Sequence, residues 1–146
     1  MAKSGIKNLK AFQNKLKKRL VTNPENHLEV LVQRSASLVE GTAKESIVSG
    51  SPSGRTYEKY NPRRTHTASA AGQPPAQDQN ELAQNITSKV TTKGTQVIGQ
   101  IISSASYSKS LEFGTSQMSP RPFMQPALNK NRAKINRIFK AGGYIK

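Results

Sequence analysis

The sequence predicts an α+β fold: two N-terminal helices, a long loop, an antiparallel β-hairpin forming a small sheet, and a C-terminal helix packed on that sheet. Three observations lead there. Apolar residues recur at three- and four-residue steps near both ends of the chain, they alternate in the middle, and residues 49–77 have almost no aliphatic side chains. At 146 residues the chain is the size of one domain, so residues 1–146 are read as a single unit.

The first helix is expected within residues 1–22. Ile6, Leu9, Phe12, Leu16 and Leu20 form one stripe, while Lys3, Lys7, Lys10 and Lys17 share another face, which describes a basic amphipathic helix. Punctuation follows at Thr22-Asn23-Pro24-Glu25, where Asn23 suits an N-cap, Pro24 the first helical position and Glu25 the positive helix end. The second helix then runs to about Val48. Its apolar stripe is Leu28, Leu31, Val32, Leu38, Val39, Ala43 and Ile47, with Glu25, Glu29, Glu40 and Lys44 on the complementary exposed side.

Residues 49–77 turn to Gly, Ser, Pro, Gln and Ala, with Arg55, Lys59, Arg63, Arg64 and His66 among them. No core can be built from that composition. The segment reads as a long extended loop or arm, either disordered or ordered by a partner, and Tyr57 and Tyr60 favour the partner.

Residues 78–141 supply the hairpin and the last helix. Asp78 is read as the cap of a short helix reaching Asn85. Ile86, Ser88, Val90 and Thr92 then alternate in a strand, Lys93-Gly94 is the turn, and the return strand runs from Thr95 to Ser103. Both faces of the hairpin carry apolar residues, so both are expected to be partly covered. Two strands alone are marginal in water, and the second helix is the natural cover. From Tyr107 to Leu128 the chain makes a rigid corner: Gly114 supplies backbone freedom, and Pro120 and Pro122 remove it. Ala127, Leu128, Ile135, Ile138 and Phe139 mark the last helix, starting near Met124, where Pro126 falls among amides that lack intrahelical partners, and Gly142-Gly143 end it.

Composition narrows the function. There is no Cys, which excludes a disulfide framework, a thiolate metal site and a cysteine nucleophile. No run approaches the roughly 18 apolar residues of a membrane span, and no secretory h-region opens the chain, so a soluble protein made in the cytoplasm, without a membrane partner, is expected. Asp78 is the only Asp, the seven Glu lie mostly on helix faces, and His27 and His66 are far apart, so neither catalysis, a metal nor a cofactor is expected.

Net charge is +15, and nearly all of it sits at the two ends. Residues 1–22 hold seven Lys/Arg and no acid, and residues 121–146 hold another seven and no acid. Such asymmetry implies an anionic partner, with Lys10, Lys17, Arg63, Arg64, Lys130, Lys134 and Arg137 as contacts to DNA or to an acidic protein surface. Charge alone does not choose between them.

Four motifs, in order, resemble the tail-completion (neck) family of tailed bacteriophages: Ser53-Gly54-Arg55-Thr56-Tyr57, the stretch His66 to Ala76 ending in Gly72-Gln73-Pro74-Pro75-Ala76, Leu82 to Ile86, and Tyr107-x-x-x-Leu111-Glu112-Phe113-Gly114-Thr115 followed by Arg121-Pro122-Phe123-x-x-Pro126-Ala127-Leu128. The resemblance covers about residues 40–130. It implies a small α+β virion subunit that forms a homo-oligomeric ring, six-fold or twelve-fold, joining head to tail. Other neck, connector and tail proteins are its implied partners, along with DNA in the channel. A tail terminator, a connector ring and a basic DNA-binding protein are the alternatives. Arg55, Tyr57, Tyr60, Glu112, Thr115 and Arg121 are the residues assigned to subunit or ring contacts.

Overall fold

A computed structural model describes residues 24–78 and 80–145. The predicted first helix, with Lys10 and Lys17, lies outside the described residues. The others form a mixed α+β unit in the order α1 (Pro24–Val48), β1 (Thr56–Tyr60), β2 (Arg63–Thr67), α2 (Glu81–Gln84), β3 (Ile86–Lys93), β4 (Gln96–Ser103), α3 (Ser108–Phe113) and α4 (Met124–Ala141).

Helix α1 is the spine. Its stripe buries Leu31, Ala36, Val39, Ala43 and Ile47, the spacing that aligns side chains on one helical face. Lys44 pairs with Glu40 one turn earlier, at 2.6 Å, and both are half-buried rather than on the exposed side, with Glu40 also reaching Ser88 of the sheet. The core around α1 gathers Leu82 and Ala83 of α2, Ile86 of β3, Ala105, Phe123 and Ala127. Each large apolar side chain buried there contributes about 1.5–3 kcal/mol.

Strands β3 and β4 form the expected antiparallel hairpin, in a register that pairs Ile86 with Ser103 and Lys93 with Gln96. The connecting residues are therefore Gly94 and Thr95, one position later than Lys93-Gly94. One face, with Ser88 and Thr92 on β3 and Gly99 on β4, lies under α1. There Thr92 donates to Glu29, and a Cβ on Gly99 would stand 2.8 Å from Val32 Cγ1. The opposite face leaves Ile98 39% and Ile102 41% exposed, so among the described residues a helix covers one face and not two.

Two expectations need correction. The last helix packs mainly alongside α1 rather than on the sheet, and its first turns, at Met124 and Ala127, reach the core that holds Ile86 and Ile101 of the sheet. Asn131, wholly buried, donates from Nδ2 to Thr42 Oγ1 at 2.7 Å and to the Ala127 carbonyl at 2.9 Å. Helical periodicity specifies which face is buried but not against what, and α1 already occupies the inner face of the sheet. The second correction concerns residues 49–77, which contain a second antiparallel hairpin, β1–β2, pairing Thr56 with Thr67 and Tyr60 with Arg63. Its strands, Thr-Tyr-Glu-Lys-Tyr and Arg-Arg-Thr-His-Thr, are exposed along most of their length, so no apolar alternation announces them.

The base of this arm is tied to itself and to the body. Gly54 N–H donates to the Ala68 carbonyl at 2.8 Å, and Ala68 N–H donates to the Arg55 carbonyl at 3.0 Å. A Cβ on Gly54 would fall 2.7 Å from the Ala68 oxygen and 2.8 Å from that of Ser69, so only glycine permits this approach. Gln73 Oε1 accepts from Ser53 N–H at 3.1 Å and Ala70 N–H at 2.9 Å.

Candidate functional site

The corner and the arm meet in one place. Gly114 ends α3 at φ 76°, in a conformation that favours glycine, and the chain folds back through a bridge between Thr115 and Met118. Arg121 N–H then donates to the Leu111 carbonyl at 2.7 Å, holding the two limbs of the corner together.

Glu112 fixes the start of α4. Its carboxylate accepts three backbone N–H bonds, from Phe123 at 2.8 Å, Met124 at 3.0 Å and Gln125 at 2.8 Å. A helix leaves four N-terminal amides without intrahelical partners, and the fourth here belongs to Pro126, which has no N–H. The whole first turn is thus satisfied by one acid from another element, and its negative charge sits at the favourable end of the helix dipole. This is how the Leu-Glu-Phe-Gly-Thr and Arg-Pro-Phe-x-x-Pro segments of the sequence are related: one caps the other.

Arg121 also joins the corner to the arm. Its Nε donates to the Ser69 carbonyl at 3.1 Å, Ser69 is buried, and nearby Gly72 N–H donates to the Pro120 carbonyl at 2.8 Å. Between arm and body lies a pocket of about 400 Å3 whose walls include Tyr57, His66, Asp78, Tyr107, Leu111 and Arg121. Tyr57 and His66 meet edge to face across paired strands, with ring centroids 5.5 Å apart. Burial, followed by the charges of Glu81 and Asp78, pushes the Tyr107 hydroxyl above the usual tyrosine value.

Asp78 does not cap α2, as its position in the sequence suggests. The residue preceding α2 is Asn80, at φ 62° and with no side-chain capping bond. Asp78 instead accepts hydrogen bonds from Lys59 of β1 and Arg64 of β2, and His66 Nδ1 lies 4.0 Å away. The Lys59 bond, aided by the charges of Arg64, Lys59 and His66, holds the Asp78 carboxyl below its usual value against an opposing effect of burial. The sole aspartate therefore latches both strands of the arm to the body.

Of the residues assigned to subunit contacts, Glu112 and Arg121 are thus engaged within the chain. Arg55 and Thr115 are exposed, Tyr57 is 40% exposed and Tyr60, near the tip of the arm, 81%. Arg63 is exposed and faces Glu58 at 3.3 Å, whereas Arg64 turns inward to Asp78. Lys130, Lys134 and Arg137 lie exposed on α4, away from the arm. Sequence reasoning missed the latch role of Asp78; the signal for it was a lone acid following a basic segment. Among the described residues there is no group of three or more His, Asp or Glu arranged to hold a metal ion, and no helix is long and apolar enough to cross a membrane.

Comparison with family models, with curated proteins and with solved structures gave no match to this chain.

Proposed function

We propose that the chain is a virion structural protein, a subunit of a ring in the neck of a tailed phage that completes the tail and joins it to the head. The observation that carries this reading is the convergence of the motifs that resemble the tail-completion family. Gly54 of the Ser-Gly-Arg segment packs on Ala68 and Ser69 of the His-to-Ala stretch, Ser69 accepts from Arg121, and Glu112 caps the helix that begins after Phe123. Motif residues some fifty positions apart in sequence form one joint, which is what a shared structural role requires.

The arm presents Tyr60 and Arg63 outward from this joint, and the sheets are only two strands each, so a subunit gains buried surface by association. Arg55, Tyr57, Tyr60 and Thr115 then face neighbouring subunits or the adjoining connector and tail rings, and the protein resides in the virion after synthesis in the host cytoplasm. A six-fold or twelve-fold ring is the expected assembly.

Size-exclusion chromatography with light scattering, alone and after mixing with portal, connector and tail-tube proteins, tests the reading. Rings visible by electron microscopy are expected. A species that stays at 15.9 kDa in every mixture would sink it.

A further inference from the structure

The groove between α1 and α4, on the side turned away from the inner face of the sheet, is lined by three cations and no acid. A groove of about 460 Å3 runs between the two helices, lined by Arg34, Ser37 and Leu38 of α1 and by Lys134, Arg137 and Ile138 of α4. Thr42 meets Asn131, and Leu31 lies against Gly142, so the helices run antiparallel and Arg34 stands across the groove from Arg137. Lys130 continues the row one turn earlier, since positions 130, 134 and 137 share a helical face.

Among the described residues, none of Arg34, Lys130, Lys134 and Arg137 forms an ion pair. Acids that might have neutralised them are committed elsewhere: Glu40 to Lys44, Asp78 to the arm and Glu112 to the start of α4. Glu29 borders Arg34 in a second groove but accepts from Thr92, and exposed Glu45 stands eleven residues beyond Arg34, about 16 Å along the axis, level with Lys130 rather than with the cations that line this groove.

We propose that this α1–α4 groove binds the phosphate backbone of duplex DNA without reading its sequence. The cations on α4 span about 10 Å from Lys130 to Arg137. That matches the rise of about three nucleotides of one strand at 3.4 Å each. Small residues on α1, Ser37 and the exposed Gly41, leave the floor of the groove low enough for a backbone to settle beside Arg34.

An acidic protein surface is the competing partner, and the composition of the groove argues against it. Protein interfaces draw their affinity from buried aromatic and apolar anchors, and this groove offers only half-buried Leu38 and Ile138 and no aromatic side chain. Charge on flexible stems is sufficient for phosphate, where affinity comes from counterion release. The inference does not depend on ring formation, because the groove lies within one chain.

Fluorescence anisotropy with a labelled 20-base-pair duplex, read across a salt series, tests it on the full chain. Removing three phosphate contacts with R34A/K134A/R137A should lower the slope of log affinity against log salt by about 2.7, or about 0.9 per contact. Affinity at 100 mM salt should fall by more than about tenfold. The triple K89A/K93A/K109A removes the same charge from the sheet and α3 and should retain most of the binding. Equal losses from the two triples overturn the assignment, since total charge rather than the groove would then be responsible. So does tighter binding of poly-glutamate than of DNA at matched charge. Circular dichroism checks folding, and R34Q/K134Q/R137Q serves if the alanine triple is perturbed. Sizing of the same variants reports ring formation separately, so failure here and failure of the neck reading give different results.

Discussion

The body and the arm of this protein are held together by different physics. Around α1 the contacts are apolar and deep: Phe123, Ile86, Ala43 and Ile47 are all at most 2% exposed. The arm hairpin has almost no buried aliphatic residue and is held by a carboxylate shared between Lys59 and Arg64, by Arg121 on the Ser69 carbonyl and by backbone pairing at its base. Apolar burial involves no titrating group and is not subject to charge screening, whereas polar contacts of this kind exchange readily with water. The body is therefore held by contacts that water does not compete for, and the arm by contacts that it does.

Substitutions that strike each half differently probe this contrast. The largest effect is expected from Phe123→Ala. It removes a fully buried aromatic at the meeting point of corner and core and should cost about 3–5 kcal/mol, seen as a lower midpoint in urea with arm and body unfolding together. Arm and body transitions that separate in this variant would break the comparison.

Next comes Glu112→Ala. With three amides at the start of α4 left unsatisfied, a loss of about 2 kcal/mol is expected, together with faster hydrogen exchange at Phe123, Met124 and Gln125. Unchanged protection at these amides would show that water replaces the cap at no cost.

Asp78→Asn should do much less to global stability, about 1 kcal/mol or less, because the pair is a third exposed and solvent-screened. Its effect should be local instead: exchange should accelerate in β1 and β2 while α1 and α4 stay protected. Equal acceleration in both regions would make the arm part of the same cooperative unit.

The smallest effect is that of acid. Because the Asp78 carboxyl titrates lower in the folded chain than its ordinary 3.8, the latch contributes fully above that value and fades as pH falls through the lowered one. The side-chain carboxyl carbon shift of Asp78, followed by NMR, should stay nearly constant from neutrality down to about pH 4 and move below it. Movement near pH 6 would point away from the carboxylate.

The same contrast explains what could be read from the sequence. Periodicity located α1, the β3–β4 hairpin and α4, because burial leaves a repeating apolar signature at Leu31, Val39, Ala43 and Ile47. It could not say that α4 lies beside α1, since a buried stripe is the same whichever neighbour buries it. Nor could it find β1 and β2, whose pairing is backbone-to-backbone between polar side chains. At the site, the sequence singled out Tyr57 and Tyr60 as contacts for a partner; Tyr60 is exposed near the tip of the arm, whereas Tyr57 packs edge to face on His66 in the pocket wall. Glu112 and Asp78 were not legible in their observed roles, because each acts on a distant element through contacts that leave no local spacing. Arg34 was missed because it is one cation on a helix with four Glu, and only the antiparallel packing brings it opposite Arg137.

The cap that Glu112 places on α4 also determines where foreign sequence can be spliced into this protein. From Phe113 to Pro122 the chain is a strut of set length, fastened at one end by the carboxylate and at the other by the amides it receives. A residue inserted there must break the Thr115–Met118 bridge that folds the stretch back, so it is a poor choice for a tag despite its exposed Ser116 and Gln117. The tip at Gly94-Thr95, beyond the last pair of β3 and β4, has no such span to preserve and is the better point of entry for an epitope or fluorophore.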